Sequence, residues 1–476
     1  MAGGVEEGEE LKICDDGGEF LLQLDLSGMA LEVGDDERSK LERAHEAMAA
    51  LEGGAIANPG EGRMVGHYWL RSPGLAPGDL GSKIEEATEG CAQFAALQEV
   101  RERFDATLLV GIGGSALGPQ LLRAALASRS ARPLHFIDNT DPVGSTELLA
   151  TLDLERTLCL IVSKSGGTIE TMNGLGEVRA AFAERGLEFE RNAVAVTMDG
   201  SALDRMAAGW LGRFPQFEWV GGRTSIFSTV GLLPAALLGV DGAEMLRGAA
   251  ALDTACRERT DNPAAMLALA WLAAGKRGER SMVVLPYRDR LELLGRYLQQ
   301  LVMESLGKRL DLEGRVVEEG LAVYGNKGST DQHAFVQQLV EGRRDSFALF
   351  VTTLEDPANG AEVHKGHTSG EVLLSMLLGT RRALRESGRH SATLILPRLS
   401  PACFGALIAL FERAVGCYAA MVGINAYDQP GVEAGKRAAN LFLAAMRREE
   451  VELTAEEAAL LEMYQLANDR KVTDDT

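Results

Sequence analysis

Short apolar runs alternate along the chain with longer segments in which apolar residues recur every three or four positions. The short runs have the length of buried strands, and the longer segments have the period of helices that bury one face. The predicted strands are residues 107–110, 134–137, 158–162, 193–196, 217–220, 281–285, 321–324, 347–352 and 393–396. Strands that alternate with helices in this way are typical of parallel sheets covered on both faces.

The alternation is interrupted at residues 244–280 and then starts again. We therefore predict an α/β protein with two αβα sandwich subdomains, mostly parallel sheets, and helical N- and C-terminal segments. Further helices are expected at 35–51 and 82–103, and Thr454 and Glu457 form a capping box that begins a helix ending near residue 466. The predicted divisions are a helical and loop arm (1–95), a first subdomain (96–245), a second subdomain (246–450), and a C-terminal helix and tail (451–476).

Composition narrows the class of protein. The chain has 476 residues, of which 46% are hydrophobic and 25% charged, as in ordinary globular proteins. The acidic, glycine-rich N-terminus lacks the features of a secretory signal, and the longest uncharged run, 224–240, is too short to span a membrane. The six cysteines form no CxxC pair. We expect a cytoplasmic protein with reduced thiols and no membrane partner.

The net charge of −21 argues against nucleic acid as a partner. It also means that any phosphate site must depend on local groups, because the distant acidic surface is screened beyond about 8 Å at physiological salt.

A glycine-rich turn follows the first predicted strand. Residues 111–119, here the glycine loop, include Gly114 and Ser115 and lead into a helical pattern. Unpaired N–H groups at a helix N-terminus favour an anion, and glycines let it approach closely, so a phosphate cradle is predicted. A simple β–α turn without a ligand stays open. So does a dinucleotide site, because Gly111, Gly113 and Ala116 are followed by Asp138.

A second turn after a strand carries hydroxyl groups. Residues 163–168, here the serine loop, include Ser163, Ser165 and Thr168, whose hydroxyls can donate to phosphate oxygens. Because the carboxyl ends of parallel strands meet at one edge of a sheet, both loops should face the same ligand. One phosphate held between them explains both loops. Ordinary turn and capping chemistry is the alternative for this loop.

Six motifs occur in order along the chain. They are residues 111–119, 163–168, 221–225, 300–308, 328–335 and 429–436. In these motifs the chain resembles the phosphoglucose isomerase family of the sugar isomerase (SIS) superfamily. The resemblance implies two SIS-type subdomains, a homodimer, no metal or other cofactor, and interconversion of glucose 6-phosphate and fructose 6-phosphate.

An aldose–ketose isomerase must open the sugar ring, move a proton between C2 and C1, and stabilise the ene-diolate between them. These steps need acid and base groups, a carboxylate that reaches both carbons, and a cation near the oxygens. We assign the carboxylate to Glu304, which lies on a periodic helix one turn after Gln300.

The resemblance supplies the other roles. It implies that Arg223, after Gly222, stabilises the ene-diolate, and that His333, donated across the dimer interface, opens the ring together with Lys436. Gln300 and Gly222 are expected beside the substrate. The implied phosphate site consists of Gly114, Ser115, Ser163, Lys164, Ser165, Thr168 and Gln429.

Three other readings stay open at this point. A bifunctional glucose/mannose phosphate isomerase would share most of the motifs. A sugar-phosphate sensor would not need Glu304, His333 and Lys436, and an NAD-dependent dehydrogenase would use the glycine loop alone. His364 and His367 have the spacing of a metal pair, but no motif supplies a third ligand, so no metal site is predicted.

The division between binding and chemistry can be tested at Ser115. We expect Ser115→Ala to raise mainly the KM for the sugar phosphate, because the hydroxyl contributes to binding in both ground and transition states. Steady-state kinetics measure the change. A variant whose kcat falls while KM stays constant would contradict this role.

Overall fold

The computed structural model describes residues 10–355 and 360–474. Contacts divide the chain into two units, Met1–Tyr427 and Asp428–Thr476. The acidic stretch 1–9, used above to predict the location, lies outside the described residues. The predicted subdomain boundaries stay predictions.

The strands, in chain order, are Glu10–Cys14 (β1), Phe20–Asp25 (β2), Ala106–Val110 (β3), Leu134–Ile137 (β4), Thr157–Val162 (β5), Ala193–Thr197 (β6), Gly212–Pro215 (β7), Ser281–Pro286 (β8), Lys308–Leu310 (β9), Val316–Glu319 (β10), Ala322–Tyr324 (β11), Ser346–Thr353 (β12), Glu362–His364 (β13), His367–Thr368 (β14) and Ser391–Leu396 (β15).

The helices are Asp35–Glu52 (α1), Leu80–Ala96 (α2), Gln98–Arg103 (α3), Gly114–Leu126 (α4), Pro142–Thr151 (α5), Ile169–Glu184 (α6), Ala202–Met206 (α7), Thr229–Leu237 (α8), Gly242–Cys256 (α9), Pro263–Lys276 (α10), Leu294–Leu298 (α11), Val336–Glu341 (α12), Ser369–Glu386 (α13), Pro401–Val422 (α14), Pro430–Met446 (α15) and Ala455–Asp474 (α16).

Five parallel strands form the first sheet, in the order β4-β3-β5-β6-β7. Strands β5 and β6 are buried along their whole length, which explains why their sequences are apolar without alternation. The chain leaves β3 for β4 on one side and returns to β5 on the other. The strand order therefore reverses between β3 and β5, which is where open α/β sheets bind ligands.

The last strand of this sheet is not where the sequence predicts it. Residues 217–220 form no strand, and the sheet ends with β7 instead. The aromatic residues of this run are covered for another reason. The rings of the half-buried Phe217 and the buried Trp219 stack at 4.8 Å, and Trp219 packs edge-on against Trp69 at 5.3 Å. Periodicity alone cannot distinguish an aromatic loop anchor from a short buried strand.

The second sheet has the order β1-β2-β15-β12-β8-β11. Strands β8, β11, β12 and β15 are parallel, as predicted, and β2 pairs antiparallel with β15. The hairpin of β1 and β2 was not among the predicted elements, although Leu11 and Ile13 alternate with exposed residues. The prediction of an α/β fold with mostly parallel sheets is confirmed.

Two helix predictions need adjustment, and the predicted capping box is confirmed. The segment expected as one helix at 82–103 is divided into α2 and α3, because Leu97 adopts an extended conformation. The capping box of Thr454 and Glu457 is present, with reciprocal hydrogen bonds of 2.8 and 3.2 Å. Helix α16 continues beyond residue 466 to Asp474.

Helix α14 lies in the core of the first unit and packs against α9, α10 and α1. Among the described residues it alone is long and apolar enough to cross a membrane, and 89% of its most apolar window is buried inside the protein. Glycines bring it close to α9, because a Cβ at Gly405 would lie 1.9 Å from the Met245 carbonyl oxygen. Its apolar character is that of a core helix.

A buried network of charges connects α14 to α9 and to the turn His67–Arg71. The carboxylate of Asp253 accepts from Arg71 Nε at 2.6 Å and from Arg413 Nε at 2.8 Å, and Arg71 also pairs with Glu412. Burial alone would raise the pKa of Asp253, but Arg413 and Arg71 outweigh burial and lower this pKa to about 2. The carboxylate therefore stays ionised in the core.

Removing this charge should destabilise the fold. We expect Asp253→Asn to lower the free energy of unfolding by about 3–5 kcal/mol, because two buried guanidinium groups lose the carboxylate that they share, and Arg71 keeps only Glu412 and Arg413 only Glu52. Urea denaturation followed by circular dichroism measures the loss. The control Asp105→Asn, in an exposed pair with Arg156, should unfold like wild type. Equal stability of the two variants would contradict the expectation.

Candidate active site

The glycine loop and the serine loop lie side by side at the reversal of strand order. Strands β3 and β5 are paired directly, with Val110 opposite Ile161. A Cβ at Gly111 would lie 3.1 Å from the Val162 carbonyl oxygen. The prediction that both loops share one edge of the sheet is confirmed.

The glycine loop is also packed against the segment that carries Arg223. We call residues 216–225 the arginine loop; it follows β7 and includes a short 3-10 turn, Gly222–Thr224. A Cβ at Gly114 would lie 2.0 Å from the Gly222 carbonyl oxygen, and Ser225 Oγ donates to the Gly114 carbonyl at 3.4 Å. Only glycine fits at position 114 without a backbone shift.

Helix α4 begins at Gly114, directly after Gly113, whose φ of +56° is the left-handed conformation that favours glycine. The half-buried Ser115 is the second residue of α4. This position places its hydroxyl at the positive end of the helix dipole, as an anion site requires.

In the serine loop, the hydroxyls organise the turn. The buried Ser163 hydroxyl accepts from Gly166 N at 3.2 Å and donates to Thr168 Oγ1 at 3.2 Å. Ser165 is exposed, and its hydroxyl accepts from Gly167 N at 3.3 Å. Thr168 is the N-cap residue of α6, but its side chain makes no capping hydrogen bond. Capping therefore does not account for this hydroxyl.

The side chain of Lys164 points to the arginine loop. Its Nζ donates to the carbonyl oxygens of Glu218 at 2.6 Å and Val220 at 2.8 Å. Burial and the nearby Arg63 lower the pKa of Lys164 to about 8. The ammonium group thus holds backbone carbonyls of a neighbouring loop.

Arg223 and Glu304 form an ion pair next to these loops. Arg223 is buried; its Nη2 lies 3.0 Å from Glu304 Oε1, and its Nη1 donates to Ser305 Oγ and to the Ala426 carbonyl. Gln300 Nε2 donates to the other carboxylate oxygen of Glu304 at 3.1 Å. The side chain of Glu304 keeps 20% of its surface exposed, so the carboxylate is fixed by two donors and still accessible.

Residues Gln299–Glu304 form a π-helical turn after α11, where the sequence predicts a regular α-helix. Such turns are rare and occur often at functional sites. The helix ends at Gly307, where a Cβ would lie 2.7 Å from the Met303 carbonyl oxygen, and Lys308 Nζ donates to the Glu304 carbonyl at 2.7 Å. Gln300 also reaches the glycine loop, because a Cβ at Gly113 would lie 3.1 Å from its Nε2.

His333 lies at the end of a short turn, Thr330–His333, and its side chain is exposed. The turn is held by the buried Asp331, whose carboxylate accepts from Asn326 N at 2.8 Å. Within the described residues, His333 makes no hydrogen bond to Glu304, Arg223 or Gln300. The structure therefore leaves its predicted role untested.

Gln429 and Lys436 belong to the second unit. Gln429 is the N-cap residue of α15, and Lys436 lies in the second turn of that helix. Their predicted roles stay predictions. Among the residues that the structure describes, no group of three or more His, Cys, Asp or Glu side chains could hold a metal ion. His364 and His367 lie on the β13–β14 hairpin, where His367 is 3.5 Å from Glu371.

Sequence reasoning missed three groups that hold the site. Ser225 bonds the glycine loop, Ser305 bonds Arg223, and Lys308 closes the π-helical turn. Each belongs to a motif quoted above, so the signal was present in the sequence. Their partners are too distant along the chain to be inferred from spacing.

A doubly wound fold whose glycine loop and serine loop lie beside a half-buried carboxylate and a buried guanidinium fits the class of phosphosugar enzymes. A family model described as Phosphoglucose isomerase matches residues 37–385 and 358–459 of the chain. The chain belongs to the phosphoglucose isomerase family.

Relatives and solved structures agree with this assignment. The chain is 53% identical to the glucose-6-phosphate isomerase of Thermosynechococcus vestitus, over 90% of this chain and 84% of the relative. It is also 53% identical to that of Geobacter sulfurreducens, over 92% of this chain and 88% of the relative. A crystal structure of a glucose-6-phosphate isomerase from Chlamydia trachomatis is similar, with a TM-score of 0.82, 27% identity, and coverage of 94% and 92%.

The contact between Gly114 and Gly222 can be tested directly. We expect Gly114→Ala to weaken binding of inorganic phosphate at least about tenfold, because displacement of the glycine loop costs one charge-assisted hydrogen bond worth about 1.5–3 kcal/mol. Isothermal titration calorimetry measures the change. The control Gly176→Ala, where a Cβ meets nothing within 4 Å, should bind normally. Unchanged phosphate affinity in Gly114→Ala would contradict the expectation.

Proposed function

We propose that this protein interconverts D-glucose 6-phosphate and D-fructose 6-phosphate as an aldose–ketose isomerase. The proposal rests chiefly on the ion pair of Arg223 and Glu304, which lies next to two loops suited to one phosphate. This arrangement supplies a base and a cation at one place. The curated relatives named glucose-6-phosphate isomerase support the same reaction.

The phosphate binds between the glycine loop and the serine loop. Backbone N–H groups at the start of α4 and α6 supply the positive potential there. The side chains assigned to this phosphate are Ser115, Ser163, Ser165, Thr168 and Gln429. Gly114 and Gly222 let the substrate approach the backbone.

Glu304 transfers the proton. Its carboxylate takes the proton from C2 of the open-chain aldose and returns it to C1, and the reverse direction uses the same group. Arg223, 3.0 Å from the carboxylate, balances the charge that develops on the ene-diolate oxygens. Gln300 orients the carboxylate through its own hydrogen bond.

His333 and Lys436 open the ring. Because His333 is exposed on a turn, we propose that it acts in the site of a second copy within a homodimer. Exposed apolar side chains on α13, including Leu374 at 48% and Leu378 at 52%, support a covered surface on this subunit. Each step of the reaction is carried out by side chains of the protein itself. We place the enzyme in the cytoplasm.

The reaction is tested by following glucose 6-phosphate formation from fructose 6-phosphate in the presence of EDTA. Wild type should be active, and Glu304→Gln should lower kcat by about 10²- to 10⁴-fold, because the proton acceptor is lost. The control Glu313→Gln, in an exposed ion pair with Arg315, should keep full activity.

Two results would contradict the proposal: an inactive wild-type chain, or a Glu304→Gln variant with near-native kcat. The same assay with mannose 6-phosphate separates the bifunctional glucose/mannose isomerase from the proposed enzyme.

A further inference from the structure

The arginine loop has consecutive backbone carbonyls that need partners. Val220 is fully buried, so its carbonyl oxygen cannot rely on bulk water. Lys164 Nζ supplies the hydrogen bond to Val220 and also bonds the carbonyl of Glu218. The carbonyl between them, that of Trp219, accepts from Gly66 N at 3.1 Å. Three successive peptide groups are thus held from outside the loop.

These bonds act directly upstream of Arg223. Only Gly221 and Gly222 separate Val220 from Arg223, and a Cβ would meet little at either glycine. Side-chain packing therefore contributes little to the position of this short segment. The backbone of Arg223 is therefore positioned by the fixed carbonyls on one side and by the contact between Gly114 and Gly222 on the other.

The ammonium group of Lys164 bonds backbone carbonyls of the arginine loop. Two of its three N–H donors are used by the carbonyls of Glu218 and Val220. The charged groups that act on it are Arg63, Glu61 and Glu218, which belong to other segments. Its backbone, by contrast, belongs to the serine loop.

We propose that Lys164 is a positioning residue that couples the serine loop to Arg223 by holding the Glu218 and Val220 carbonyls. This inference rests on the proposed function. The backbone of Lys164 helps form the phosphate loop, while its side chain fixes the segment that places the guanidinium over the ene-diolate. Loss of the side chain should therefore impair stabilisation of the intermediate and spare phosphate binding.

The test compares Lys164→Met with Lys164→Arg. For Lys164→Met we expect kcat to fall about 10- to 100-fold, as when a charged group is displaced by about an ångström, with KM changed less than about threefold. Inhibition by inorganic phosphate should stay within about twofold, and a hydroxamate mimic of the ene-diolate should bind more weakly by about the same factor as the fall in kcat.

Two controls accompany this variant. Lys164→Arg should keep most of the wild-type kcat, because a guanidinium group can donate to both carbonyls. Lys83→Met, at an exposed lysine paired with Asp79, should behave like wild type. If Lys164→Met does not fold, Lys164→Gln, which keeps a donor for one carbonyl, replaces it and should show a smaller loss of kcat.

Amide hydrogen exchange gives a second readout that is independent of turnover. In Lys164→Met, the amides of the arginine loop should exchange faster, while those of the serine loop keep their protection. Weaker phosphate inhibition together with an unchanged kcat would overturn the inference in favour of a phosphate ligand. Unchanged kinetics and exchange would overturn it as well. An inactive wild-type chain with the expected exchange pattern would overturn only the proposed function.

Discussion

The close approach of Gly114 to Gly222 is the contact on which the site depends. A Cβ at position 114 would lie 2.0 Å from the Gly222 carbonyl oxygen, so the two backbones touch without side chains between them. This contact places the first residue of α4 against the residue that precedes Arg223. The distance between the carboxyl edge of the sheet and the guanidinium group is therefore set by backbone atoms, which are stiffer than side chains.

The carboxylate of Glu304, which pairs with Arg223, comes from a later part of the chain. Glu304 is carried by the π-helical turn Gln299–Glu304, and Gln300 from the same turn lies against the glycine loop. Within this turn Gln300 donates to Glu304, so the residue that contacts the glycine loop also holds the carboxylate. The buried charges of Arg71, Asp253 and Arg413 fix the helices of the core in a comparable way, with each guanidinium partnered.

Much of this arrangement could be predicted from the sequence, because its signals are local. Apolar runs followed by glycines or hydroxyls identified the glycine and serine loops, and the shared sheet edge followed from parallel pairing. The strand predicted at 217–220 was wrong, because these residues form a loop in which the half-buried Phe217 stacks on the buried Trp219. The Lys164 bonds could not be predicted, since they join segments far apart in sequence. The π-helical turn could not be predicted because its apolar spacing is also that of a regular α-helix.

The N-terminal hairpin has a consequence for how the chain acquires its structure. Strand β2 pairs with β15 near the other end of the first unit, with Asp25 opposite Thr393. The first sheet, by contrast, is made from one continuous stretch of sequence between β3 and β7. Contacts of long sequence separation form late, because their loop-closure entropy is large. During synthesis, β2 can therefore pair with β15 only after β15 has left the ribosome, whereas the sheet that carries the glycine and serine loops can fold earlier.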